Sequence, residues 1–128
     1  MRIVIVSLGM LAAFAAVGTL ATQGGDAPTA SEIALGDSVF HGKAGNALCY
    51  VCHGPAGKGV AGIGPNLTDK EWVNGDGSLA FIAKVILDGV PKPKKFPAPM
   101  PPKGGGALND AQIRAAAAYV HSLSQPKK

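Results

Sequence analysis

The residues with the clearest chemical purpose in this chain form the run Cys49-Tyr50-Val51-Cys52-His53. Two thiols three residues apart lie on the same side of one helical turn, so both can reach the two vinyl groups at one edge of a porphyrin. The histidine that follows then lies under the iron and offers an imidazole nitrogen. This C-x-x-C-H pattern predicts covalent attachment of one c-type haem, with His53 as an iron ligand.

Three other uses of the two cysteines compete with haem attachment. A thioredoxin-like redox pair is expected within a βαβ unit, which the sequence does not suggest. A structural zinc site needs four ligands, and His41 and His121 are the remaining nitrogen donors, neither at the spacing of a zinc finger. A disulfide across two intervening residues would have no evident role.

The second iron ligand is predicted by elimination, because cytochromes place Met or His opposite the proximal His. Two of the three methionines lie in the apolar N-terminal segment, which leaves Met100. The prolines of Ala98-Pro99-Met100-Pro101-Pro102 stiffen a backbone that must present a thioether at a set distance. The alternatives are a packing or surface role for Met100, an open sixth site, or ligation by His41 or His121.

The N-terminal segment has the composition of an export signal. Arg2 precedes an uncharged apolar stretch over residues 3–20, and small residues follow, which predicts a secretory signal peptide over residues 1–21. An uncleaved membrane anchor is the alternative, because the stretch is at the lower edge of the ~20 residues that cross a bilayer. Both interpretations place a linker (22–28) and one domain (29–128) in the periplasm.

Composition indicates one domain with few large side chains for its core. The chain has 128 residues, of which 47% are hydrophobic and 5% aromatic, so another apolar group is expected to fill the interior. Charged residues make up 16% of the chain, and no block of five like charges occurs, so no nucleic-acid partner is expected.

Four helix starts are predicted from residues that cap the first turn of a helix. They are Thr29 with Glu32, Thr68 with Glu71, Ser78 or Asp76, and Asn109 with Gln112. Leu67 is predicted to pack on Trp72 across the second cap. No stretch alternates as a strand would, so the fold class is predicted to be all-α. The coil over residues 89–107 holds six of the ten prolines, and an iron–sulfur bond to Met100 would hold it in place.

Together these residues resemble the small class I c-type cytochromes, particularly bacterial forms similar to the cytochrome c domains of respiratory oxidases and dehydrogenases. The resemblance covers about residues 29–124, in matching order and spacing. Its motifs are Cys49-Tyr50-Val51-Cys52-His53-Gly54, Gly64-Pro65-Asn66-Leu67, Met100-Pro101-Pro102 and Ala118-Tyr119-Val120. It implies a cytochrome c fold of about four to five helices around one haem c, and a one-electron carrier of a respiratory chain rather than an enzyme.

The resemblance also implies roles for single residues. His53 would be the proximal and Met100 the distal iron ligand, and the Pro65 carbonyl would accept a hydrogen bond from the other ring nitrogen of His53. Trp72 would pack near the haem and donate to a propionate, although its contact with Leu67 also explains its position. The central region lacks the arginine of the mitochondrial pattern, which leaves the propionate partner open.

The first and last helices are implied to cross closely. Gly36 and Phe40 of the first helix would meet Tyr119 of the last, with the glycine allowing the close approach. Ordinary helix packing would explain the same three residues, and the two interpretations are compatible.

Electron transfer requires redox partner proteins, and charge predicts their surface. Lys92, Lys94, Lys95 and Lys103 flank Met100 next to the expected haem edge, which favours partners with an acidic docking surface. A solvated, lysine-rich loop is the alternative. The alternatives for the function are the electron-accepting haem subunit of a dehydrogenase, and a haem enzyme or gas-binding protein with an open sixth site.

Overall fold

The computed structural model describes residues 27–126, and over that range the chain is built from helices and coil. The elements in chain order are α1 (Ala30–Phe40), α2 (Cys49–His53), α3 (Leu79–Asp88), a 3-10 turn (Pro102–Gly105) and α4 (Asp110–Leu123). Two isolated β-bridges occur in place of a sheet in this part of the chain. The predicted all-α class is confirmed.

The N-terminal predictions fall outside this range. The predicted signal segment 1–21 and residues 22–26 of the predicted linker are not among the described residues. Within residues 27–126, none of the helices combines the length and apolar character that a transmembrane span requires.

Three of the four predicted helix starts are confirmed by their capping hydrogen bonds. At α1, the Thr29 hydroxyl accepts the Glu32 backbone N–H, and the Glu32 carboxylate accepts the Thr29 N–H. Asn109 and Gln112 form the same reciprocal pair at α4. Ser78 caps α3 by accepting a backbone N–H of its first turn. These bonds satisfy donors that the start of a helix leaves without a backbone partner.

The helix predicted to start at Thr68 is not formed, and that prediction is wrong. Asn66 Oδ1 accepts hydrogen bonds from both the backbone N–H and the hydroxyl of Thr68. The Glu71 N–H, which the predicted cap required, donates to the Asp69 carboxylate instead. Such short-range bonds between side chains and backbone compete directly with helix formation. Residues 66–76 therefore form bends and coil.

The crossing of α1 and α4 forms the centre of the packing. A Cβ on Gly36 would collide with the Ala115 carbonyl and lie 2.7 Å from Tyr119 Cβ, so the two backbones approach closely only because residue 36 is glycine. The Phe40 and Tyr119 ring centroids are 5.3 Å apart. The predicted meeting of Gly36 and Phe40 with Tyr119 is confirmed.

Gly36→Ala is expected to lower the free energy of unfolding by about 1–3 kcal/mol, the usual cost of overpacking. The added methyl group meets the α4 backbone, which cannot rotate aside as a side chain can. Ala34→Ser, on the exposed side of α1, is the control and should change stability by no more than about 0.5 kcal/mol. Denaturant unfolding measures both, and an unchanged Gly36→Ala midpoint would contradict the close crossing.

His41 links the end of α1 to the segment that follows α2. Its Nδ1 lies 2.9 Å from the Asp37 carbonyl oxygen and 3.1 Å from the Asp37 carboxylate, and its Nε2 lies 2.8 Å from the Pro55 carbonyl oxygen. A carbonyl oxygen can only accept, so the geometry suits an imidazolium that donates from both nitrogens. The Pro55 and Asp37 carbonyls raise the pKa of His41 above its usual value.

The stability that His41 contributes is expected to depend on pH. Because its pKa is raised on folding, the contribution is complete below the ordinary histidine pKa and is lost as pH rises through the folded value. The unfolding free energy of the wild-type chain should therefore exceed that of His41→Gln most in acid solution, and the difference should shrink as pH rises above the ordinary histidine pKa of about 6.5. Denaturant titrations at several pH values, with His121→Gln as control, test this. A constant difference would contradict a protonated link.

Candidate functional site

A cavity of about 320 Å³ with almost entirely apolar walls lies between the helices and the coils over residues 63–74 and 90–101. All six predicted site residues line it, namely Cys49, Cys52, His53, Pro65, Trp72 and Met100. The alternative iron ligands His41 and His121 do not line it. The fold thus gathers at one cavity the residues that carried the sequence prediction.

Helix α2 positions the two cysteines and the histidine on one helical turn, as the motif required. Both cysteines are half-buried and free of a disulfide. Burial raises the pKa of the Cys49 thiol. The Leu48 N–H, just before the helix, donates to the Gly104 carbonyl at 3.0 Å, so the start of α2 is bonded to the 3-10 turn that follows Met100.

His53 is buried, and one of its two ring nitrogens is already engaged by the protein. Nδ1 lies 3.0 Å from the Pro65 carbonyl oxygen, which is the hydrogen bond predicted for it. Since a carbonyl only accepts, Nδ1 carries the hydrogen and Nε2 keeps its lone pair. Burial lowers the pKa of His53, which favours the neutral imidazole that binds metals.

Met100 is fixed by backbone hydrogen bonds of the coil that carries it. The Val90 N–H donates to the Met100 carbonyl at 2.8 Å, and the Met100 N–H donates to the Val90 carbonyl at 3.0 Å. Beyond the 3-10 turn, the Ala107 N–H donates to the Gly45 carbonyl at 2.9 Å. The sequence suggested that an iron–sulfur bond holds this coil, but the protein supplies bonds of its own.

Trp72 and Leu67 reach the cavity from coil, since the helix predicted to carry the tryptophan is absent. Both side chains are half-buried, line the cavity and pack against the hydrophobic core. Three polar residues that sequence reasoning did not assign to the site, Asn66, Glu71 and Asn74, also line the cavity. Neither their residue types nor their spacing indicates a position in the cavity wall, and the capping pattern predicts a different role for Glu71.

The predicted lysine cluster contains one lysine that is already paired. Lys95 Nζ lies 2.6 Å from Glu71 Oε1, and this contact joins two coils 24 residues apart in sequence. The Glu71 carboxylate raises the pKa of Lys95. Lys92 and Lys94 are exposed, and Lys103 is half-buried. The positive potential of the cluster is therefore weaker than four unpaired lysines would produce.

The chemistry of this cavity fits a haem c. Its walls are apolar, two free thiols lie on one helical turn, and a neutral imidazole keeps one ring nitrogen for a metal. A thioether from a distant part of the chain lines the same space. The described residues also include no group of three or more His, Cys, Asp or Glu placed to hold a metal ion by themselves.

Comparisons with known proteins agree with this assignment. The family model described as "Cytochrome C oxidase, cbb3-type, subunit III" matches residues 29–120. The cbb3-type cytochrome c oxidase subunit FixP of Bradyrhizobium diazoefficiens is 39% identical over 80 residues, which are 62% of this chain and 25% of that protein. Subunit CcoP of Rubrivivax gelatinosus is 41% identical over 85 residues, 66% of this chain and 25% of that protein. The chain therefore spans about a quarter of the length of these relatives.

A solved structure shares the fold. Cytochrome CL of Methylophaga aminisulfidivorans superposes with a TM-score of 0.52 at 23% identity, over 73% of this chain and 53% of that chain. The predicted resemblance to class I c-type cytochromes and the predicted cytochrome c fold are confirmed. This chain belongs to the cbb3-type cytochrome c oxidase subunit III family, whose cytochrome c domains carry covalently bound haem c.

Proposed function

We propose that this chain is a one-electron carrier whose haem c is attached through Cys49 and Cys52 and ligated by His53 and Met100. The observation that supports this most strongly is the lining of the cavity, which includes one histidine and one methionine. When bound, the haem supplies the one-electron chemistry by cycling between ferric and ferrous iron. His–Met ligation raises the reduction potential of the haem compared with two nitrogen ligands, and it leaves no free position on the iron for a substrate.

The residues around the cavity would hold His53 and Met100 in fixed positions beside the haem. The Pro65 carbonyl orients the His53 ring and increases the basicity of its free nitrogen. The apolar walls exclude water, which limits the rearrangement that accompanies a change in charge. Backbone bonds hold Met100 at its position in the coil. This combination suits rapid electron transfer better than it suits catalysis at an open iron site.

The partner is proposed to be a redox protein of the periplasm with an acidic docking surface. Pro93 lines the cavity, and the lysines on either side of it, Lys92 and Lys94, are exposed, so positive charge lies beside one wall of the cavity. The relatives named above are subunits of a cbb3-type oxidase. We infer that this chain exchanges electrons with such a complex, either as one of its subunits or as a separate carrier. A separate carrier would be held near the membrane by an uncleaved N-terminal segment or released from it by cleavage.

Met100→Ala is expected to abolish the weak sulfur-to-iron charge-transfer band in the far-red spectrum of the ferric holoprotein and to lower its reduction potential. His41→Gln and His121→Gln, which remove the alternative ligands, should keep the band. Optical spectroscopy and a potentiometric titration measure these effects. A band that persists in Met100→Ala would refute the proposed ligation. A high-spin ferric spectrum in the wild-type protein would indicate an open sixth site and would favour a haem enzyme that reacts with peroxide or a gas-binding protein.

The double variant Lys92→Gln/Lys94→Gln is expected to slow oxidation of the reduced protein by ferricyanide, a one-electron acceptor that is an anion. A reduction of about two- to fourfold is expected at low ionic strength, and it should vanish in concentrated salt. Lys43→Gln/Lys58→Gln is the matched control, because it removes the same charge from exposed lysines that do not adjoin the cavity lining. Stopped-flow absorbance measures the rates. Equal slowing in both double variants would contradict a local docking surface.

A further inference from the structure

We infer that Gly89 is a positioning residue for Met100, a role that rests on the proposed ligation by Met100. Gly89 ends α3 with φ 72° and ψ −171°, a conformation that is essentially restricted to glycine. Its N–H donates to the Val85 carbonyl at 2.8 Å, which completes the last turn of the helix. Gly89 does not line the cavity itself, so any effect on the iron site must pass through neighbouring residues, and the backbone nearest to a side chain at this position is that of Met100, Pro101 and Pro102.

The backbone of the Met100 segment lies directly against Gly89. A Cβ at this position would collide with the Met100 carbonyl oxygen, and it would lie 2.7 Å from Pro102 N and 2.9 Å from the Pro101 carbonyl carbon. All three are backbone atoms, which cannot move aside as the end of a flexible side chain can. A side chain at residue 89 would therefore displace the segment that carries the proposed sulfur ligand.

The backbone conformation of Gly89 also determines which residue pairs with Met100. Because the backbone turns there, the next residue, Val90, faces Met100 and exchanges two backbone hydrogen bonds with it. The proline-rich residues 91–99 form a loop that this pair closes. A change at Gly89 would therefore alter both the space beside Met100 and the bonds that fix its backbone.

A second contact fixes the other side of the same segment. The Gly104 carbonyl accepts the Leu48 N–H at 3.0 Å, which bonds the 3-10 turn to the residue before Cys49. The coil that carries Met100 is thus hydrogen-bonded on one side to Val90, after the end of α3, and on the other to Leu48, before the start of α2. Its position is set by the protein before any bond to iron is considered.

The experiment compares Gly89→Ala with Gly62→Ala in the holoprotein. Both glycines have nearly the same φ, 72° and 73°, but a Cβ on Gly62 has no atom within 4 Å. The control therefore also replaces a glycine of positive φ, but without the collision. Three quantities are measured: the far-red charge-transfer band, the affinity of the ferric protein for added imidazole, and amide hydrogen exchange at Val90 and Met100 by NMR.

In Gly89→Ala, the fraction of molecules with Met100 displaced is expected to rise roughly tenfold or more. The band should weaken, the affinity for imidazole should rise by a similar factor, and the Val90 and Met100 amides should exchange faster. Gly62→Ala should leave all three close to the wild-type values. An unchanged band and unchanged exchange in Gly89→Ala, or equal changes in both variants, would overturn the inference.

The band in Met100→Ala separates this inference from the proposed function. If Met100→Ala keeps the band, the ligation itself is wrong, whatever Gly89→Ala does. If Gly89→Ala does not fold, amide hydrogen exchange in the wild-type protein tests whether the backbone at Val90 and Met100 is held in place. Protection of the Val90 and Met100 amides comparable to that of α3 supports the inference, and exchange at the rate of free coil overturns it.

Discussion

Backbone hydrogen bonds between coils hold the walls of the haem cavity, and the rest of the site depends on them. The helices alone cannot enclose a large cofactor, because α1 and α4 pack closely through glycine and alanine and leave the cavity to be completed by coil. The reciprocal bonds between Val90 and Met100 close one wall, and the bond from Leu48 to Gly104 joins that wall to α2. Coil held in this way has satisfied donors and acceptors, so it can border a buried space as a helix does.

Two histidines in this domain show how a similar contact accompanies pKa shifts of opposite direction. Each has a ring nitrogen bonded to a proline carbonyl, His53 to Pro65 and His41 to Pro55. For His53, burial outweighs its one carbonyl and lowers the pKa. For His41, two carbonyls outweigh a smaller burial and raise the pKa. The neutral ring therefore faces the cavity, and the ring that favours its charged form joins two segments outside it.

Local chemistry explains most of what was predictable. The C-x-x-C-H run, the caps at Thr29, Ser78 and Asn109, and the choice of Met100 each depend on residues within a few positions of one another or on elimination. The helix cap predicted at Thr68 does not form because Asn66 Oδ1 accepts hydrogen bonds from the backbone N–H and the hydroxyl of the same threonine. A capping pattern states which bonds are available, and the surrounding chain decides which of them forms.

The cofactor, the helical class and the candidate ligands could be predicted before folding, because covalent attachment and capping use short, ordered spacings. The pairing of Val90 with Met100, the collision that excludes a side chain at Gly89, and the contact of Glu71 with Lys95 are visible only in the folded chain. They could not be predicted because they join coils without a repeating pattern. Their partners are selected by where the helices direct the chain, and no residue type at a regular interval records that choice.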